Sequence, residues 1–144
     1  MDMRIMAIDY GDVRTGVAIS DVTGLLAGFT TVVQGRGPQR VVEELATLIQ
    51  THQVDEVVMG FPRNMDGSEG PRAALYRDFA RLLEEQTGME VHLWDERRTT
   101  IEAHQILHAG GRRMKQHKQR VDAVAASLIL EGYLSKRRRE AGLQ

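Results

Sequence analysis

Acidic residues close three apolar segments of this chain or sit just inside the next one. Asp9 follows Ile5-Met6-Ala7-Ile8, Asp95 and Glu96 follow Val91–Trp94, and Asp122 lies in the opening turns of a helical pattern. An ionised carboxylate beside a buried run is costly unless it is hydrogen-bonded, paired or bound to a metal. Singly, each has an ordinary explanation. Asp9 reads as a turn aspartate capping a hairpin, and the others as acids favoured by a helix dipole. Together they point to one chemistry. In α/β sheets ligands gather at strand ends, where two strand termini and one helix start can converge. Convergent oxygens without cysteine suit Mg²⁺ or Mn²⁺ rather than zinc. Two such ions about 3.5–4 Å apart activate a water and stabilise the leaving oxygen of a phosphodiester.

Rival ligands are few. His104 and His108 share a helix face at i, i+4, but Gln105, Ile106 and Leu107 between them include no acid to serve as a base, so they read as a half-exposed face. Met1, Met3 and Met6 read as initiation and core filling. With 0 cysteines, disulfides, thiolate nucleophiles and zinc ribbons are excluded.

The elements that must position these acids follow from periodicity. Arg4–Tyr10, Thr15–Ser20 and Phe29–Val33 read as strands in close succession, an antiparallel meander bent at Gly11, Gly24 and Gly28. Gly37-Pro38 opens a helix over Gln39–Gln50 with Val42, Leu45, Ala46 and Ile49 inward. A strand over Glu56–Met59 gives way to an irregular stretch, Phe61–Pro71, long enough to be functional. A helix over Arg72–Gln86, with Leu75, Phe79, Leu82 and Leu83 inward, stops at Gly88, and Glu90–Trp94 is a strand. Thr99 or Thr100 caps a helix to His108. A basic loop, Arg112–Lys118, leads to a last helix, Arg120–Lys136, with Val121, Val124, Ala125, Leu128 and Ile129 inward. The fold class expected is α/β, a mixed five-stranded sheet with helices on both faces.

The chain has 144 residues, 42% hydrophobic, with 19 Lys+Arg against 20 Asp+Glu. That length fits one domain with a real core, expected over 1–136, followed by a mobile basic tail, 137–144. No apolar run is long enough for a membrane span, and no signal-like segment opens the chain. The net charge of −1 argues against nucleic acid until the charges are placed. Residues 1–96 carry 8 basic against 16 acidic residues, a balance of −8, whereas 97–139 carry 11 against 3, a balance of +8. Such asymmetry points to a polyanionic partner, although a solvated C-terminal face explains it equally well on charge alone.

Four ordered blocks resemble the YqgF family of RNase H-like, Holliday-junction-resolvase-like nucleases that process the 5′ end of precursor 16S rRNA. They are Ile8-Asp9-Tyr10-Gly11 with Arg14, Gly16-Val17-Ala18 and Ser20-Asp21; Gly60-Phe61-Pro62 with Asn64-Met65-Asp66-Gly67-Ser68-Glu69; Asp95-Glu96-Arg97 with Thr99-Thr100 and Ala103; and Lys118 with Val121-Asp122, Ala125-Ala126, Ile129-Leu130 and Tyr133-Leu134. Arg98 departs from the family's usual apolar residue. The resemblance implies an RNase H-like fold and a cytoplasmic Mg²⁺- or Mn²⁺-dependent nuclease, with two ions. Its metal-binding acids fall on Asp9, the Asp95-Glu96 pair and Asp122, with Glu96 favoured over Asp95 for its longer reach. Successive strand residues face opposite sides, so one of that pair enters the site. Arg14, Arg97 and Lys118 are then candidates to hold phosphate. Asn64, Asp66 and Ser68 would shape a substrate-gripping loop, or an ordered turn held by Asx-type bonds.

The implied partner is nucleic acid, either structured or precursor rRNA or branched DNA, and the protein a monomer or homodimer. Symmetric junction cutting needs two active sites and hence a dimer. Two other classes compete. A non-catalytic RNA-binding module for ribosome assembly would keep the same charge split. The opening hairpin also resembles the phosphate loop of actin-like ATPases and sugar kinases, which need two lobes where this length supplies one.

Overall fold

A computed structural model describes residues 3–23, 27–35, 37–62, 69–95 and 114–142, with the backbone alone for 27 and 114–122. In chain order the elements are β1 (Ile5–Asp9), β2 (Arg14–Ser20), β3 (Ala27–Gln34), α1 (Pro38–Thr51), β4 (Glu56–Phe61), α2 (Arg72–Thr87), β5 (Val91–Asp95) and α3 (Met114–Glu140). The sheet order is β3-β2-β1-β4-β5. The first three strands form the expected antiparallel meander, while β4 pairs parallel with both β1 and β5. Short turns permit the antiparallel pairs; α1 and α2 supply the crossovers that parallel pairing requires. The mixed five-stranded sheet is therefore as expected.

Side-chain alternation divides the core in two. Met6, Ile8, Val17, Ile19, Val57, Met59 and Phe61 face α1 and α2, joining Val42, Leu45, Phe79 and Leu83. Ile5, Ala7, Ala18 and Val58 face α3, joining Ala126, Ile129, Leu130, Tyr133 and Leu134. Helices thus cover both faces, and β1, β2 and β4 are buried on each side. No described helix is long and apolar enough to cross a membrane.

Helix termini follow local chemistry. Proline opens α1, where its missing N–H costs nothing, and Gly88 ends α2 in the left-handed region at φ 72°. The inner stripes differ from the sequence expectation. On α2 the buried residues are Ala73, Tyr76, Phe79, Ala80 and Leu83, while Leu75 is 56% exposed. Phe79 and Leu83 point inward as expected, and Tyr76 takes the place of Leu75 because its hydroxyl reaches a backbone acceptor. On α3 the buried set is Ala125, Ala126, Ile129, Leu130, Tyr133 and Leu134, the two alanines allowing close approach to the sheet.

Helix α3 starts at Met114, so most of the expected basic loop is helical, and it continues to Glu140, past the boundary expected at Lys136. No proline interrupts it, and its one glycine, Gly132, lies mid-helix against Trp94. Its C-terminal half is stapled to the sheet: the Tyr133 hydroxyl and the Arg137 guanidinium both donate to Glu56 Oε2, Arg137 at 2.8 Å. The helix expected near Thr99–His108 lies outside the described residues.

Candidate active site

Asp9 ends β1 on the face that α3 covers. Alternation sets this, because Ile5 and Ala7 pack with α3 while Met6 and Ile8 pack with α1 and α2. Both neighbouring strands offer glycine there. Gly16 pairs with Asp9 across β2, and Gly60 follows Met59, the β4 partner of Ile8. The positions beside Asp9 on both neighbouring strands thus carry no side chain. Arg14 has the same parity as Gly16 and Ala18 and lies at the same end of the sheet, so the structure brings Arg14 and Asp9 to one face and one edge.

The chain turns sharply beyond Asp9. A Cβ on Gly11 would lie 2.2 Å from the Arg14 carbonyl oxygen, so the hairpin closes only with glycine there. Tyr10 leaves the Asp9 face and stacks on Phe79, centroids 4.0 Å apart, with the Tyr76 ring edge-on at 5.4 Å. The Tyr76 hydroxyl donates to the Tyr10 carbonyl at 2.7 Å. Arg72 pairs with Asp12 at 3.4 Å and lies over the Tyr76 ring, 5.6 Å from its centroid. Burial pushes the Tyr10 phenol above its ordinary range, with Asp12 adding to the rise and Arg72 opposing it, so this ring stays neutral. Sequence reading missed this clasp. Its one legible trace is a tyrosine within the α2 pattern.

The other expected residues divide as follows. Asp95 ends β5 opposite Phe61, which belongs to the α1–α2 core, so alternation places Asp95 on the face away from Asp9. Trp94, one residue earlier, packs with the α3 core. Position 122 of α3 lies beyond the helix's second turn, four residues before Ala126. A helix-dipole preference fades within the first turn and does not account for an acid there. Glu96, Arg97, Asn64, Asp66 and Ser68 lie outside the described residues, as do the side chains of Lys118 and Asp122. Among the described residues no three His, Asp or Glu side chains gather around a metal position. Both ends of the 62–70 stretch are nonetheless held: Arg77 pairs with Glu69 at 2.7 Å and lies over the Phe61 ring at 4.7 Å.

Comparison with known proteins extends this geometry. The family model described as "RuvX: Holliday junction resolvase" matches residues 3–136. A relative from Halothermothrix orenii is 45% identical over 92% of this chain and 95% of its own, and one from Carboxydothermus hydrogenoformans is 44% identical over 92% and 96%. Both carry the name "Putative pre-16S rRNA nuclease". Among solved structures, T. thermophilus RuvC in complex with a Holliday junction substrate superposes with TM-score 0.61 at 14% identity, covering 95% of this chain and 96% of that one. The large terminase nuclease from phage G20c gives 0.57 at 12% identity, over 92% and 82%. These two likenesses establish the RNase H-like fold. The family description and the relatives' names both denote nucleases, hydrolases of phosphodiester bonds. By a match that spans nearly its whole length, the chain belongs to the RuvX Holliday junction resolvase family.

Proposed function

We propose that this protein is a Mg²⁺- or Mn²⁺-dependent nuclease of structured precursor rRNA, with Asp9, Glu96 and Asp122 as the metal-binding acids. The observation that carries the reading is the parity at the sheet edge. Asp9 lies between Gly16 and Gly60 on the α3 face, and Asp122 precedes by four residues the Ala126 that packs on that face. The same parity favours Glu96 over Asp95, since Asp95 belongs to the face opposite Asp9. The donor set fits the group: all oxygen, all carboxylate, in a chain with 0 cysteines, beside two glycine positions that leave room for hydrated ions.

Divalent ions held there would supply an activated water and stabilise the leaving oxygen. The chain's own residues do the rest. Asp9 brings negative charge to the face that α3 covers. Arg14, on the same edge, offers a charge-assisted donor to a phosphate, and Arg97 and Lys118 lie in the segments that flank the acids in sequence. Asn64, Asp66 and Ser68 grip substrate from the 62–70 stretch, whose ends Arg77 holds. The relatives' shared name supports precursor rRNA and hence a cytoplasmic site of action.

A second reading, branched DNA, is favoured by the family description. It demands a dimer, because each strand pair of a junction needs its own site. One experiment separates the two: Mn²⁺-titrated cleavage of a 5′-extended 16S rRNA precursor alongside a four-way DNA junction, with Asp9→Asn as control. Metal-dependent cleavage of the RNA alone, lost in Asp9→Asn, is the expected result. Cleavage that survives in Asp9→Asn sinks the site.

A further inference from the structure

Helix α2 follows the 62–70 stretch and lies on the face of the sheet opposite to Asp9, so nothing in its position makes it part of the site. Its first two turns nevertheless grip the turn that follows Asp9 at two points. Tyr76 donates its hydroxyl to the carbonyl of Tyr10, the residue directly after the acid, at 2.7 Å. Arg72 reaches Asp12 through both terminal nitrogens, at 3.5 and 3.4 Å. Between those points lies Gly11, which has no space for a side chain. Three aromatic rings complete the grip, with Tyr10 stacked on Phe79 and edge-on to Tyr76.

A buried phenol needs some hydrogen-bond partner, and a packing role alone would satisfy that need. The choice of acceptor goes further. The Tyr10 carbonyl lies in the peptide to Gly11, two backbone torsions from the Asp9 Cα; with the Tyr10 ring also held by Phe79 and Tyr76, those torsions are restrained, and with them the path of the chain out of Asp9. Alternation then carries the constraint through the sheet: Tyr10 is held from below while Asp9 projects above.

We infer that Tyr76, assisted by Arg72, is a positioning residue for Asp9, acting from the opposite face of the sheet through the Tyr10 carbonyl. The inference rests on Asp9 being a metal-binding acid. Groups hydrogen-bonded to a metal ligand affect metal affinity by about 10–100-fold; this clasp holds the residues that follow Asp9, so the effect expected is the lower end of that range.

The test is Mn²⁺ binding to the full chain without substrate, followed by calorimetry, with metal-free melting and metal-free RNA affinity as companion readouts. Tyr76→Phe keeps the ring contacts and deletes only the hydroxyl. It is expected to weaken Mn²⁺ binding about 10-fold while leaving RNA affinity unchanged. Wild-type Mn²⁺ affinity in Tyr76→Phe, with or without a lower melting temperature, overturns the inference, since a purely structural role moves only melting. If Tyr76→Phe fails to fold, Arg72→Gln replaces it, because Arg72 is half exposed and breaks only the Asp12 pair and the ring contact. Undiminished Mn²⁺ affinity there likewise overturns it. Asp9→Asn separates the two levels: if it binds Mn²⁺ as wild type does, the metal site itself is wrong and the inference falls with it.

Discussion

The indole of Trp94 occupies the space that a side chain on Gly132 would need. A Cβ built on Gly132 lies 2.8 Å from Trp94 Cζ2. Helix α3 therefore meets edge strand β5 through a notch, with the Tyr133 ring edge-on to the indole at 6.1 Å. Alanine in place of a helical glycine ordinarily gains about 1 kcal/mol, but overpacking a fitted contact costs about 1–3 kcal/mol. We expect Gly132→Ala to be net destabilising by about 1 kcal/mol in urea unfolding. Adding Trp94→Leu should recover the helix-propensity gain relative to Trp94→Leu alone. A stabilised single variant would show that the ring moves freely.

The parity at the end of β5 distinguishes two adjacent acids. Asp95→Asn is expected to retain cleavage within about 10-fold of wild type, whereas Glu96→Gln and Asp9→Asn lose on the order of 10³-fold, the scale of removing a group that acts directly on the reacting atoms. Single-turnover rates at saturating Mn²⁺ measure this. Equal losses at Asp95 and Glu96 would contradict the assignment.

The staple at Glu56 carries a pH signature. The Tyr133 phenol is pushed up to about 12, first by burial and then by the Glu56 carboxylate that accepts its hydrogen bond. A tyrosine in the unfolded chain ionises near 10. The folded state therefore holds this proton more tightly, so its contribution is complete below pH 10 and is lost as pH rises toward 12. Stability measured by urea unfolding should fall across that window, and less steeply in Tyr133→Phe.

Gly11 is expected to tolerate no side chain. With a Cβ 2.2 Å from the Arg14 carbonyl oxygen, Gly11→Ala must reopen the hairpin that carries Asp9 and Arg14. A loss of about 2–3 kcal/mol of stability is expected, with cleavage falling beyond what the unfolded fraction explains. Thermal melting and residual activity at a temperature where the variant is folded separate the two effects.

Binding to RNA should respond to salt more than a net charge of −1 implies. The segment 97–139 holds 11 basic residues, and contact with six or more phosphates would cost about 10³-fold in affinity between 50 and 200 mM salt. Fluorescence anisotropy with a metal-free precursor fragment reads this directly. A flat salt response would mean that the basic segment does not meet the nucleic acid.

Local chemistry was legible without coordinates. Apolar runs marked β1, β4 and β5, glycine and proline marked the ends of α1 and α2, and the four motif blocks carried the family and its candidate acids. Each of these signals operates over a few residues, so a one-dimensional pattern contains it. What tertiary structure decided was which side each residue serves. Asp95 falls away from Asp9 because Phe61 opposite it belongs to the α1–α2 core, and that parity depends on pairing between strands more than 30 residues apart. The inward turn of Tyr76, 66 residues from Tyr10, replaced the expected Leu75 because a phenol within reach of a buried carbonyl gains a hydrogen bond that leucine cannot make. Periodicity identifies a stripe to within one residue; only the partner across the interface decides which residue points in.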